Sequence, residues 1–318
     1  MGRPRSILLA LALALLLAAC GADAESTPAT GPTGSTSEPS PTVVFPVTVE
    51  GSNGSVTIEE QPTRIVSLSP TATEDLFAIG AGEQVVAVDD QSNFPAEAPT
   101  TELSGFEPNI EAIAGYGPDL VVYATEVGDL GTSLEGLGIT ALQLDAAATL
   151  DEAFGQITQL GLATGHADAA NALVEELRAA VGEIVASAEP ASGVSFYHEL
   201  DDTFYSVTSE TFIGQLYAML GLENIADAVG EGSGGYPQLS AEYIIQADPD
   251  LIFLADTKCC GQSAQTVAER PGWGRLAAVS GGGVVPLDDD VASRWGPRVL
   301  ELLQQIADAA IATEATAA

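Results

Sequence analysis

The chain has 318 residues, 46% of them hydrophobic, and sets 45 acidic side chains against 9 basic ones for a formal net charge of −36. A field of that sign repels nucleic acid and other polyanions, and it favours metal chelates, cationic ligands or a basic protein surface. The length and apolar content suffice for two modest cores.

Arg3 and Arg5 precede an apolar run, Ile7 to Ala19, that is too short to span a bilayer comfortably and closes on Leu17-Ala18-Ala19-Cys20-Gly21. Residues 1–19 read as a signal peptide. The small-residue site resembles a bacterial lipobox, which implies that Cys20 is acylated and becomes the new N-terminus; the alternative is an ordinary secretory peptide with an incidental cysteine. Residues 20–44 are mostly Ala, Gly, Ser, Thr, Pro and acids, a composition that cannot bury a core, and read as a tether carrying the lipid anchor. Together these segments place the folded part on the outer face of the cytoplasmic membrane.

An N-terminal α/β lobe is expected over 45–165. Alternation from Phe45 to Ile58 around Gly51-Ser52-Asn53-Gly54 predicts a hairpin. Arg64 to Leu68 predicts a buried strand, and Thr73 to Ile79 a short helix stopped by Gly80. Strands follow at Val85 to Val88 and Leu142 to Leu144, then a helix at Leu150 to Thr164. Ala167 to Ala188 places Ala170, Leu173, Leu177, Val181 and Val185 on one stripe and is the longest helical pattern. It makes a linking helix over 166–190. A strand at Val194 to Tyr197 opens a second lobe over 191–318, which ends in a helix from Pro297 to Ile311.

One unit occurs twice, 131 residues apart. Asn109-Ile110-Glu111-Ala112-Ile113 with Pro118-Asp119-Leu120-Val121-Val122-Tyr123-Ala124 is echoed by Ser240-Ala241-Glu242-Tyr243-Ile244 with Pro249-Asp250-Leu251-Ile252-Phe253-Leu254-Ala255. Each copy reads as an N-capped helix, a tight turn and a buried strand. A second echo, Leu76-Phe77-Ala78-Ile79 against Leu216-Tyr217-Ala218-Met219, keeps the same order in both halves. The fold class is therefore α/β, with two similar Rossmann-like lobes bridged by one long helix.

In such sheets ligands bind beyond the carboxyl ends of the strands. That rule selects Ser67 to Thr71, Ala124 to Gly128, His198 to Thr203, Ala255 to Gly261 and Asp288 to Arg294 as walls of a shared cleft. Phe106 and Tyr236, each after a glycine and just before a repeat helix, either offer aromatic faces to a large flat ligand or anchor their loops. His198 at a strand end either meets ligand or serves its loop. His198-Glu199-Leu200-Asp201-Asp202 is the richest polar cluster and the one candidate for acid–base or metal chemistry, yet HExxH, GxSxG, a phosphate-cradling glycine loop and paired CxxC are all missing. No catalytic or metal site is expected. Cys259 and Cys260 are adjacent: in an oxidising exterior they close a vicinal disulfide, or they stand as free thiols; alone they make a poor metal set. Glu111 and Glu242 fall in the first turns of their helices, where an acid offsets the helix dipole by ~0.3–1 kcal/mol. That accounts for each singly but not for its retention in both copies.

Arg64-Ile65-Val66-Ser67-Leu68-Ser69-Pro70-Thr71-Ala72-Thr73-Glu74, the two Pro-Asp-Leu units, the linking helix and the lipobox together resemble the substrate-binding proteins of cobalamin and iron-siderophore ABC importers. The resemblance spans roughly 45–312. It implies two lobes that close slightly around ligand, with Glu111 and Glu242 docking one per lobe onto arginines of a dimeric permease that works with its ATPase. It also implies a small-molecule metal chelate as cargo, which itself carries cobalt or iron, and Ser69, Pro70, Thr71, Phe106, His198, Tyr236 and Arg294 as ligand contacts. The Ser-Pro-x-x-Thr-Glu form is similar to corrinoid binders, although only Trp273 and Trp295 are present where such proteins place several tryptophans. Arg294 and Arg298 would suit the carboxylates or catecholate of a siderophore. Haem would need His198, Tyr197 or Tyr236 as axial ligand.

Overall fold

The computed structural model describes residues 43–188 and 193–317; Cys20 and the signal and tether assignments up to residue 42 lie outside them. An antiparallel hairpin comes first, β1 (Val47–Gly51) and β2 (Gly54–Ile58), with Gly51 facing Gly54 across the turn. Asn53 in that turn donates to the Ala141 carbonyl and accepts from Gln143 N–H, so the hairpin is fastened to the edge of the first lobe.

That lobe contains β3 (Ile65–Leu68), α1 (Pro70–Ala78), β4 (Val85–Val88), α2 (Ile110–Gly115), β5 (Leu120–Tyr123), α3 (Leu130–Gly136), β6 (Thr140–Gln143) and α4 (Leu150–Thr164). The linking helix is α5 (Ala167–Ala188), 22 residues long. The second lobe has β7 (Ser195–Glu199), α6 (Phe212–Met219), β8 (Glu223–Asn224), α7 (Ala241–Ala247), β9 (Leu251–Leu254), α8 (Ala264–Glu269), α9 (Ala277–Gly281), β10 (Val284–Pro286) and α10 (Asp289–Ala292), before α11 (Val299–Ala317) closes the chain.

Both sheets are parallel and share one strand order: β4-β3-β5-β6 in the first lobe and β8-β7-β9-β10 in the second. The repeat is thus a repeat of topology. Its strands β5 and β9 are buried at all four positions, as strands covered by helices on both faces must be. Asn109 caps α2 by accepting from Ala112 N–H, and Ser240 caps α7 by accepting from Tyr243 N–H. The aspartate of each Pro-Asp-Leu turn has a further role. Asp119 accepts from the N–H groups of Thr63 and Arg64 at the start of β3 (2.8 and 3.0 Å), and Asp250 accepts from Ser195 N–H (2.9 Å) and Ser195 Oγ (2.6 Å) at the start of β7. In both lobes this carboxylate ties the central strand to its neighbour.

The lobes are not insulated from each other. Ile65 and Leu76 of the first lobe, Leu177 and Val181 of α5, Phe196 and Leu216 of the second lobe and Leu303 and Ile306 of α11 belong to one continuous core cluster. α11 packs back along α5, so the C-terminal helix acts as a second strut beside the linking helix.

Candidate ligand-binding site

The ligand contacts expected at the carboxyl ends of the strands fall into distinct environments in the structure. α1 begins at Pro70 rather than at Thr73, because Pro pre-sets the first helical position and Ser69 before it caps the helix, its hydroxyl accepting from Ala72 N–H. Ser69 and Thr71 are buried, so of the Ser69-Pro70-Thr71 contacts only Pro70 keeps partial exposure. The hydroxyls behind them are chained, Thr73 Oγ1 to Ser67 Oγ at 2.9 Å and Thr73 Oγ1 to Ser92 Oγ at 2.9 Å, and stiffen the end of β3.

Phe106 and Tyr236 stand out into solvent at 71% and 48% exposure. Gly105 lies flat against the end of β3: a Cβ there would sit 2.8 Å from the Leu68 carbonyl oxygen, so only glycine permits the approach that turns Phe106 outward. Tyr236 follows Gly235 (φ +92°), whose carbonyl accepts from Thr208 N–H, while Pro237 O accepts from Ser206 N–H. The two aromatics therefore emerge from turns laid against the chain beyond β3 and beyond β7, at corresponding places in the two lobes.

His198 is not a ligand contact. β7 runs on to Glu199, two residues beyond the predicted end, which puts His198 inside the sheet and wholly buried. Its Nδ1 pairs with the Tyr217 hydroxyl at 2.8 Å, and burial pushes its pKa down to about 3. The polar cluster around it also disperses, because alternate strand residues face opposite ways. Glu199 turns to Arg270, and Asp201 accepts from Thr203 N–H and Oγ1 in its own turn. No acid–base constellation forms there.

Arg294 is likewise removed from the cleft. Its side chain, 6% exposed, donates to Glu74 (2.7 Å), the Gln91 carbonyl (2.9 Å) and Asn93 Oδ1 (3.0 Å), and pairs with Asp290 at 3.2 Å. Arg298 adds a second contact to Glu74 at 3.4 Å and stacks over the Phe94 ring. Burial raises the Glu74 pKa, and the two arginines pull it back down. Asp75 beside it is fully buried and is pushed far up, toward a neutral acid. Glu74, Gln91, Asn93 and Phe94 belong to the first lobe and the two arginines to the C-terminal segment, so this is an interlobe clamp. Trp295 makes another such contact, its Nε1 donating to Gln156 of α4 at 2.8 Å. The sequence carried one sign of the clamp, an isolated pair of arginines in an acidic chain, but not its partners some 200 residues away.

In the second lobe Glu199 is gripped by both arms of Arg270 (2.6 and 2.5 Å), whose guanidinium lies 4.6 Å from the Trp273 ring centroid. Asp256 is buried beside them, and burial together with the neighbouring Glu199 carboxylate pushes its pKa up to about 7. A disulfide joins the exposed Cys259 and Cys260 just beyond. Glu111 and Glu242 are both exposed, in the first turns of α2 and α7. A cavity of about 510 Å³ adjoins Glu242, with Phe204, Ile245 and Arg270 among its walls.

Two α/β lobes of one topology, strutted by a linking helix, define a bilobal architecture. The chain belongs to the periplasmic binding protein family, whose profile matches residues 65–291. It is 30% identical over 309 residues to an uncharacterised ABC transporter substrate-binding lipoprotein of Bacillus subtilis, covering 94% of both chains. It is 32% identical over 276 residues to a cobalamin-binding protein of Halobacterium salinarum, covering 83% of this chain and 74% of that one. Among solved structures it resembles a possible iron-binding (periplasmic solute-binding) protein from Staphylococcus epidermidis at a TM-score of 0.68 and 26% identity, over 79% of this chain and 99% of that one. No helix of the described residues is long and apolar enough to cross a membrane.

Proposed function

We propose that this chain is the lipid-anchored, extracytoplasmic substrate-binding component of an ABC importer, and that it captures a corrinoid in the cleft between Phe106 and Tyr236 and delivers it to a dimeric permease. The observation that carries this is the pair of outward aromatics on corresponding turns of two like lobes: a broad, flat ligand needs apolar faces on both sides. The cobalamin-binding relative at 32% identity supports the same cargo. So does the disposition of charge. Of the basic residues in the folded part, Arg64, Arg178, Lys258, Arg270, Arg294 and Arg298 are engaged by protein oxygens, and the exposed Arg275 lies beside Asp248 ahead of β9, at the end of that strand away from the ligand side, which leaves them poor partners for the anionic groups of a siderophore. Of the three axial candidates for haem, His198 and Tyr197 are sealed in the core, and Tyr236 alone stays exposed. The second reading, a ferric chelate, draws on the likeness to the possible iron-binding protein of Staphylococcus epidermidis.

Glu111 and Glu242 would meet basic groups on two equivalent permease subunits, one per lobe. The role is capture and delivery rather than catalysis. Residues 21–318, exposed to cyanocobalamin, a ferric siderophore and haemin and then desalted, should retain the corrinoid spectrum and show quenched tryptophan fluorescence. Retention of the ferric chelate instead would shift the cargo to the second reading, and retention of none would end the binding-protein proposal.

A further inference from the structure

The turn after β9 is built differently from everything around it. Thr257 N–H, Thr257 Oγ1, Lys258 N–H and Cys259 N–H all donate to the one carboxylate of Asp289, at 2.7 to 2.9 Å. Lys258 Nζ is held between Asp288 and Asp290, 2.6 Å from each. Underneath, the Asp256 carbonyl accepts from the N–H groups of Cys260 and Gln262. A turn this heavily fastened nevertheless leaves Lys258, Cys259, Cys260 and Gly261 exposed.

Its position is fixed by the same contacts. The turn leaves the carboxyl end of β9, the ligand side of such a sheet. Asp290, which holds Lys258, also accepts from Asn93 Nδ2 at 3.0 Å and pairs with Arg294. Asn93 follows β4 in the first lobe, so the turn stands at the seam where the lobes meet. The first lobe has no matching disulfide or carboxylate knot: Gly128 and Asp129 occupy the places 131 residues before Cys259 and Cys260, and there Glu126 accepts from Tyr123 Oη and Gly131 N–H while the Asp129 carbonyl accepts from Ser133 N–H. A disulfide between adjacent residues closes too small a loop to constrain the unfolded chain appreciably, so global stability does not explain it.

We propose that the Thr257–Gly261 turn is a preorganised, ligand-contacting rim of the cleft, contributed by the second lobe alone, and that the Cys259–Cys260 disulfide sets ligand affinity by holding that rim in place. This rests on the binding-protein reading above and deepens it. Rigid placement of a contact surface raises affinity by removing the ordering cost at binding. The bond is also a chemical handle. A dithiol reductant delivers two electrons, the S–S bond breaks, each sulfur takes a proton, and the reductant closes its own disulfide.

The test titrates cyanocobalamin into three forms of the chain: oxidised, reduced with dithiothreitol, and Cys259→Ser/Cys260→Ser. Reduction and the double substitution should each weaken binding at least five-fold, while the thermal midpoint moves by no more than about two degrees, as a small loop closure allows. Hydrogen exchange at the amides of Thr257, Lys258 and Cys259 should quicken in both altered forms and slow when ligand is added to the oxidised one. Asp289→Asn, which loosens the turn without touching sulfur, should weaken binding as well. Equal affinity in all three forms would overturn the rim while leaving the binding function standing. Were cyanocobalamin bound by none, the same series with a ferric siderophore and haemin decides. A probe bound equally by all forms refutes the rim, and no probe bound by any form refutes the function and the rim with it.

Discussion

Replacing Arg294 with methionine tests whether the two lobes are locked as the buried contacts imply. Arg294 and Glu74 are 6% and 2% exposed at the side chain, so the pair is shielded from water and from salt. Breaking a buried ion pair from one side costs about 3–5 kcal/mol, because the remaining charge is left without its partner. Two features soften that here. Arg298 still reaches Glu74 at 3.4 Å, and Glu74, its pKa already raised by burial, takes up a proton readily once Arg294 is gone. The expected loss is therefore about 2–4 kcal/mol at pH 7. Adding Glu74→Gln to Arg294→Met removes the stranded charge and should bring the loss back to within about 1–2 kcal/mol of wild type. Urea unfolding of the single and double variants gives the cycle. An Arg294→Met protein within about 0.5 kcal/mol of wild type, or a double variant whose loss equals the sum of the singles, would refute the clamp.

The pH dependence of stability should show two opposite buried titrations. His198 has its folded pKa pushed down to about 3, so as pH falls from about 6.5 only the unfolded chain gains that proton, which lowers stability by up to about 1.4 kcal/mol per pH unit. Asp256 runs the other way: the folded carboxyl keeps its proton up to about 7 whereas the unfolded one releases it near 3.8, so stability falls as pH rises between those values; where the windows overlap the two oppose each other, so in urea midpoints His198→Gln should leave stability falling with rising pH and Asp256→Asn should leave it rising. The strand ties should rank by burial. Asp250→Ala, at a half-buried site with two donors on Ser195, should cost about 2–3 kcal/mol, and the exposed Asp119→Ala about 1 kcal/mol, with the reverse order in denaturation counting against the shared role. Charge reversal at both Glu111 and Glu242 should abolish uptake in cells with cyanocobalamin affinity unchanged in titration; lost affinity would instead assign the two acids to the fold or the cleft.

Sequence and structure agree most closely where interactions are local. The hairpin turn, the bounds of β4, α4 and α5, and the caps Asn109 and Ser240 depend on residues within a few positions of one another, and all are visible in composition and spacing. The duplication was legible because two copies of one pattern check each other, and the common strand order is its physical counterpart. What failed were inferences from a residue's type at a strand end. The apolar run of β7 stops one step short of His198, but the strand continues through it to Glu199 and the ring faces the core. Arg294 is engaged by Glu74, Gln91 and Asn93, which lie about 200 positions earlier, a separation at which no periodicity carries information.

The same contrast separates frame from cargo in this molecule. Features present in both halves, namely the helix caps, the aspartate ties, the buried β5 and β9 and the exposed glutamates, either hold a lobe together or present it to something outside. They stay alike because both lobes have the same structural task. Features present in only one half gather at the seam: the Glu74–Arg294 clamp, Trp295 on Gln156, and the disulfide turn on Asp289. A cleft formed between two identical lobes would offer the same surface from both sides, whereas a corrinoid presents different groups on its two faces. Selectivity for such a ligand must therefore come from the unlike parts. Of these the clamp and Trp295 are occupied in joining the lobes, so on the proposal above the exposed turn at Cys259 and Cys260 is the unlike surface that would meet ligand.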